Sequence, residues 1–199
     1  MWYKVAKVEK DKEMEKKKEM EDFFIARTNK HIDLVRKYCK KIADYDKDRF
    51  GELVERAKVH DDSKFEAPEK EPYVYITWQY RCKDKGEKFD IPEEMKERMN
   101  VATEHHVKNI LNTHHPEASC DKEVDLINRE NRDAKPKEII NATKMPDLDI
   151  GECVADWCAM SEEKKSNPKD WADKNVNVRW KFTDKQKKLI YELIYEIWE

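Results

Sequence analysis

The six histidines of this chain are its first candidates for metal binding. One precedes two aspartates in KVHDDSKFEAPE, and four form two adjacent pairs in TEHHVKNILNTHHPE. Neutral imidazole is a common ligand of Zn, Fe, Ni and Cu, whereas carboxylates suit harder ions such as Mn and Mg. The sequence therefore predicts a metal site that combines histidine with aspartate.

The remaining histidine, His31, lies on the apolar face of a predicted helix. Apolar side chains recur at steps of three and four from Asp22 to Tyr45, and His31 falls in this stripe between Thr28 and Val35. A lone histidine on such a face is more often a core residue than a ligand. The order of the other motifs favours metal ligation at His31.

His60 and Asp61 follow a helix predicted over Arg49 to Val59. We favour metal ligation by both residues, with Asp61 bridging if two ions bind. The alternative is a plain His–Asp pair at a helix end. Lys64 comes four residues after His60, where an ammonium group could neutralise a phosphate oxygen or a leaving group. Its alternative is an ordinary surface lysine.

The two histidine pairs each offer a choice of ligand. Adjacent residues of a helix point about 100° apart, so His105 and His106 do not easily serve one metal together. His106 continues the apolar stripe of its helix and is the preferred ligand. The chain leaves the helix near Pro116, so His114 and His115 could both turn inward. We favour His115, with His114 as a second ligand or a substrate contact.

The carboxylate that completes the set is predicted at Asp156, in DIGECVADWCAM. This segment predicts a helix over Asp147 to Met160, and an aspartate on its core face is costly unless it is paired or binds a metal. A capping or salt-bridging role is the alternative. Further groups that could orient the ligands are Glu66, Glu69, Asn112, Glu117, Asp149 and Glu152.

With this order of residues, the chain resembles the HD-domain proteins. It is most similar to a small, uncharacterised HD-like family common in bacteriophages and bacteria. The resemblance rests on T-x-x-H-x-x-x-V (28–35), H-D-x-S-K-F (60–65), N-x-H-H-P-E (112–117) and E-C-V-A-D-W (152–157). The chain departs from the HD-type cyclic-dinucleotide phosphodiesterases, because it lacks their G-Y-P signature and has Ser63 in place of a glycine.

The resemblance implies an all-α, HD-domain-like helical bundle with an interior metal site. It implies one or two divalent transition ions, of Mn, Fe, Zn, Ni or Co, and Asp61 and Lys64 as the catalytic residues. The implied metal ligands are His31, His60, Asp61, His106, His114, His115 and Asp156.

The function that the resemblance implies is metal-dependent hydrolysis of a phosphate, with a nucleotide or related small phosphate as substrate and a metal-activated water as nucleophile. Arg81 or Lys83 could assist Lys64 in binding charge. An HD-type di-iron oxygenase keeps the same ligands and is one alternative. A non-catalytic phage protein that sequesters a metal or nucleotide is the other.

The 199 residues predict one domain at 22–199 after a charged N-terminal extension at 1–21. Only 3 glycines favour helices over tight turns. A polar stretch at 118–148 indicates an excursion or lid, residues 161–182 are expected to be irregular, and Thr183 opens a final helix.

Composition narrows the partners and the compartment. The 41 basic and 44 acidic side chains nearly balance, which argues against general nucleic-acid binding, and no apolar run predicts a membrane span or signal peptide. Five scattered cysteines indicate reduced thiols in the cytoplasm, the host's if the chain is phage-encoded. An oligomer is compatible with the sequence.

Overall fold

The computed structural model describes residues 2–120 and 138–198. These residues contain eight α-helices and two short strands, which confirms the all-α prediction. In chain order the elements are α1 (Trp2–Tyr45), α2 (Lys47–Phe50), α3 (Leu53–Arg56), α4 (Lys70–Asp84), α5 (Glu93–Lys108), β1 (Ile140–Asn141), α6 (Asp147–Lys164), α7 (Pro168–Asn175), β2 (Trp180–Lys181) and α8 (Asp184–Trp198). Short 3₁₀ helices cover Asp62–Phe65, Ile110–Asn112 and Pro116–Ser119.

Helix α1 is the spine of the fold, with 44 residues and a length of about 66 Å. The predicted apolar stripe is confirmed, because Phe24, Val35 and Ile42 have no exposed surface. The helix continues across the predicted boundary between residues 21 and 22, and its buried stripe begins among the described side chains at Met20. One continuous helix therefore carries His31 into the interior.

Two apolar clusters flank His31 along this helix. The first contains Val35 and the inward faces of α6 and α8, and the second contains Phe24 and residues of α4 and α5. His31 lies between Phe24 and Val35 in the sequence and is itself buried. Its polar ring therefore sits where the two clusters meet.

Helix α6 approaches the short helices α2 and α3 closely at Gly151. A Cβ atom at this position would lie 3.0 Å from Leu53 Cδ1 and 3.1 Å from Phe50 Cδ1. Such contacts are tighter than ordinary packing, so glycine allows the backbone of α6 to come near. The next residue along, Glu152, is thereby placed deep in the interior.

Two predictions for the second half of the chain can be compared with the structure. The irregular region predicted at 161–182 is wrong, because α6 runs on to Lys164 and α7 and β2 follow. Of the predicted excursion at 118–148, residues 121–137 lie outside the described residues, and β1 pairs in parallel with β2. Within the described residues, no helix combines the length and apolar character needed to span a membrane.

Candidate metal centre

Five segments bring the predicted ligands together into what we call the histidine–aspartate cluster. Within it, donor atoms of His31, His60 and Asp156 all lie within 4.8 Å of one another, and so do donor atoms of His60, Asp61 and His114. The described chain therefore contains buried histidine and aspartate groups that could hold a metal. The members of the cluster are His31, His60, Asp61, His106, His114, His115 and Asp156.

Asp61 lies at the middle of this cluster in a left-handed backbone conformation, with φ of 63°. Its Oδ2 is 3.8 Å from Nε2 of both His31 and His60, and its Oδ1 is 3.3 Å from His106 Nε2. The two carboxylate oxygens thus face different histidines. Non-glycine residues seldom adopt a positive φ, and the rare cases are concentrated at functional sites.

Three of the histidines are oriented by buried or mostly buried glutamates. The Nδ1 atom of His31 is 3.0 Å from Glu163 Oε1, and that of His60 is 3.0 Å from Glu152 Oε1. Ligand histidines in metalloproteins commonly donate Nδ1–H to a carboxylate in this way, which directs Nε2 toward the metal.

The third histidine–glutamate pair shows which of His105 and His106 faces the cluster. His106 Nδ1 is 2.9 Å from Glu69 Oε2, and its Nε2 points at Asp61. His105 is 42% exposed in its side chain, and its Nδ1 lies 2.7 Å from the other oxygen of Glu69. His106 therefore faces the cluster while His105 shares its supporting carboxylate. Ser63 also donates to Glu69, at 3.1 Å.

Some polar atoms of the cluster are buried without a hydrogen-bond partner among the described residues. These include Nε2 of His60 and Nε2 of His115, and also Nδ1 of His114, which lies 3.5 Å from Glu152 Oε1. A buried acceptor left unpaired costs about 1–3 kcal/mol. Binding of a divalent ion by these imidazole nitrogens would give them a partner and remove this cost, so the donor set fits a metal.

Arg56 fixes the carboxylate behind His60. Its Nε is 2.9 Å from Glu152 Oε2, its Nη1 is 2.6 Å from Asp149 Oδ1, and its Nη2 donates to Thr113 Oγ1 at 2.8 Å. Thr113 directly precedes His114, so one guanidinium ties α3 both to α6 and to the second histidine pair. Glu152 is 1% exposed and would be an uncompensated buried charge without this partner.

Lys64 forms an ion pair with Asp61, because its Nζ is 2.5 Å from Oδ2. The side chain is 16% exposed, and the ammonium lies 5.3 Å from the centroid of the Tyr73 ring. Burial lowers the pKa of Lys64, but the charge and hydrogen bond of Asp61, together with Tyr73 and Asp156, outweigh burial and raise the pKa above the ordinary value. Lys64 is therefore a cation at neutral pH.

The electrostatics keep the aspartates ionised and two histidines neutral. Burial disfavours charge on Asp61, but Lys64 and the neighbouring histidines hold its pKa well below the usual range. Asp156 is likewise held low by its hydrogen bond to His31, against burial. Burial and nearby histidines lower the pKa of His114 and His115 well below the ordinary value. Ionised carboxylates and neutral imidazoles are the forms that bind metal.

We expect the metal-free protein to be most stable near pH 6.5. Burial lowers the pKa of His31, but hydrogen bonds to Asp156 and Glu163 outweigh it and raise the pKa to about 9. The stability from this pair is full below the unfolded pKa of about 6.5 and is lost as the pH rises through 9, by roughly 2–3 kcal/mol. His114 and His115 act in the opposite sense, because only the unfolded chain takes up their protons as the pH falls below 6.5.

Urea unfolding between pH 5.5 and 9 in the presence of a chelator measures this dependence. His31→Gln should remove most of the loss on the alkaline side. Stability of the parent protein that keeps rising to pH 9 would contradict the account of His31.

Sequence reasoning missed two of the orienting residues. Glu163 was overlooked because the helix was predicted to end at Met160, yet its spacing of seven residues from Asp156 places both on one helix face. Arg56 gave no local signal, because its partner Glu152 lies 96 residues away.

Several suggested residues lie elsewhere. Glu66 is exposed, Glu117 accepts a hydrogen bond from Trp180 Nε1 at 2.9 Å, and Lys83 is exposed. Arg81 pairs with Glu19 at 3.0 Å, and it follows Tyr73 by eight residues, which is about 12 Å along α4. The structure therefore does not bring Arg81 or Lys83 to the cluster.

Comparison with known protein families gives a match over most of the chain. The model of a family described as "Family of unknown function (DUF5662)" matches residues 20–196, which include every member of the histidine–aspartate cluster. No curated protein and no solved structure matches the chain. The description of the family carries no activity and makes no reference to the HD-domain superfamily, so the resemblance to that superfamily stays a prediction.

Proposed function

We propose that this chain, which belongs to the DUF5662 family of unknown function, is a metal-dependent phosphohydrolase of the HD-domain kind. The observation that carries the proposal is the orientation of three histidines around one aspartate. His31, His60 and His106 each turn Nε2 toward Asp61 while Nδ1 is held by a glutamate. Such support for ligand rings is characteristic of metal sites.

The donors divide into two sets that share Asp61. Oδ2 of Asp61 faces the first set, whose other members are His31, His60 and Asp156. Oδ1 faces His106. We assign His106 and His115 to the second set, with Asp61 bridging the two. His114 lies between the sets, because its donor atom is within 4.8 Å of those of His60 and Asp61. One or two ions of Mn, Fe, Zn, Ni or Co suit ligands of this composition.

Bound ions would supply positive charge to a phosphate oxygen and lower the pKa of a water molecule. The side chains of the protein would orient the substrate and neutralise its negative charge. The ammonium of Lys64 pairs with Asp61 and is partly exposed, so it can bind a phosphate oxygen on which charge accumulates. Asp156 is 18% exposed, so we expect a substrate to reach the cluster beside it.

The substrate class is a small phosphorylated molecule, and a nucleotide is the inference from the superfamily. Lys64 favours hydrolysis over the other activities compatible with these ligands, because a fixed ammonium suits a phosphate better than it suits dioxygen chemistry. The near balance of basic and acidic side chains gives no reason to expect a polymeric nucleic acid as substrate.

The test is phosphate release from a panel of nucleoside mono-, di- and triphosphates under Mn²⁺ or Fe²⁺, with and without a chelator. We expect release that the chelator abolishes and that proceeds equally with and without dioxygen. Dioxygen consumption without phosphate release would replace the proposal by an oxygenase. Tight nucleotide binding without turnover under any metal would replace it by a sequestering protein.

A further inference from the structure

Two charged side chains at the histidine–aspartate cluster, Asp156 and Lys64, are partly exposed to solvent. Around the first set of donors, the side chains of His31, His60 and Asp61 are at most 5% exposed, whereas Asp156 is 18% exposed. Lys64 is also partly exposed. A substrate can therefore reach this set from the side of Asp156 and Lys64.

Arg27 contacts α6 at two residues that follow Asp156. Its Nη2 is 3.2 Å from Glu163 Oε2 and 3.6 Å from Met160 Sδ, and its side chain is 35% exposed. Met160 and Glu163 follow Asp156 by four and seven residues on α6, so they extend the face of that helix outward from the cluster. The guanidinium thus lies about one to two helical turns, or about 5–10 Å, from Asp156 along α6.

Two arginines support the orienting glutamates, and they differ in how many donors they use. Arg56 engages Nε, Nη1 and Nη2 with Glu152, Asp149 and Thr113. Arg27 engages Nη2 alone among the described residues. Its Nε and Nη1 hydrogens make no hydrogen bond among the described residues, and Lys30 is an exposed neighbour on the same helix.

From this contrast, and resting on the proposed function, we propose that Arg27 is a specificity-determining residue that binds a second phosphate of the substrate. Lys64 binds the phosphate that reacts, and Arg27 binds the phosphate next to it. Free guanidinium N–H groups in a planar fork match two phosphate oxygens, so the preferred substrates carry a diphosphate group. A monophosphate reaches Lys64 but leaves the fork of Arg27 unused.

The experiment compares orthophosphate with pyrophosphate as ligands of the Mn²⁺-loaded full chain, by calorimetric titration. We expect the parent protein to bind pyrophosphate at least about tenfold more tightly, and Arg27→Gln to lose that preference while its Kd for orthophosphate stays unchanged. Chelation of Mn²⁺ by pyrophosphate is the same for both proteins, so it cancels in their comparison.

The matched control is Arg98→Gln, because Arg98 also pairs through Nη2 with a glutamate, Glu71, at 2.7 Å. It should behave as the parent protein does. Arg27→Lys keeps the charge without the fork and should restore only part of the preference. The metal content of each variant is measured alongside, since Arg27 contacts Glu163.

The outcomes separate the two proposals. Equal affinities of the parent protein for both anions, or an unchanged preference in Arg27→Gln, would overturn the role of Arg27 alone. Loss of metal in Arg27→Gln would also overturn it, because the variant would then act through Glu163 and His31. Absence of binding of either anion together with absence of phosphate release would overturn the proposed function itself.

Discussion

Asp61→Asn is expected to remove bound metal and to lower phosphate release by roughly 10³-fold. The two oxygens of Asp61 face two different groups of histidines, so loss of its charge weakens both sets of donors at once. Asparagine is preferred to alanine in this test because it has nearly the same shape and tolerates the left-handed backbone. The effect on metal is therefore separated from an effect on the turn.

Elemental analysis of protein purified without added metal, followed by phosphate-release kinetics, measures both consequences. The matched control is Asp62→Asn, since Asp62 is the exposed neighbour on the same turn. It should keep the metal and the activity of the parent protein. Full metal content in Asp61→Asn would contradict the bridging role.

Lys64→Met is expected to lower kcat by about 10²-fold and to leave the metal content unchanged. The ammonium of Lys64 is partly exposed and pairs with Asp61, and we expect it to supply positive charge to the phosphate in the transition state. Methionine keeps the bulk of the side chain, so packing against the Tyr73 ring changes little.

Steady-state kinetics on the best substrate, with metal analysis of the same samples, separates chemistry from metal binding. Lys70→Met is the control, because Lys70 lies on the surface and pairs with Glu21 at 2.7 Å. An unchanged kcat in Lys64→Met would mean that Lys64 has a structural role and no catalytic one. Loss of metal would mean that it acts by fixing Asp61.

The helical core was predictable because its signal is local and periodic. On α1 the spacing of Phe24, Val35 and Ile42 identified the buried face, and the same face carried His31. Asp156 could be singled out because a carboxylate on an apolar face is costly without a partner. These inferences need only the geometry of one helix.

The supporting glutamates were harder to identify because their partners are distant in the sequence. The sequence indicates Glu69 and Glu152 only among six groups that could orient the ligands, and it gives no signal for Glu163, since charged residues usually face solvent. Which of them turns inward depends on how α6 and α4 pack against α1. Gly151 shows the same dependence, because its contact with Phe50 and Leu53 exists only once the helices meet.

The choice within each histidine pair also needed the tertiary structure. Sequence spacing favoured His106 over His105, and the structure agrees in facing His106 toward Asp61. The sequence spacing did not predict that Glu69 would bind both rings, one through each carboxylate oxygen. For the later pair, His114 and His115 lie in a turn, where helical periodicity gives no direction.

Anomalous diffraction shows whether the histidine–aspartate cluster holds divalent metal. Crystals of protein grown with Mn²⁺, measured on both sides of the Mn absorption edge, locate any bound ion without reference to activity. We predict at least one anomalous peak within about 2.0–2.6 Å of an Asp61 oxygen and of Nε2 of His31 or His60. A map without a peak among these side chains, at full Mn²⁺ loading, would contradict the metal centre and with it the proposed hydrolase.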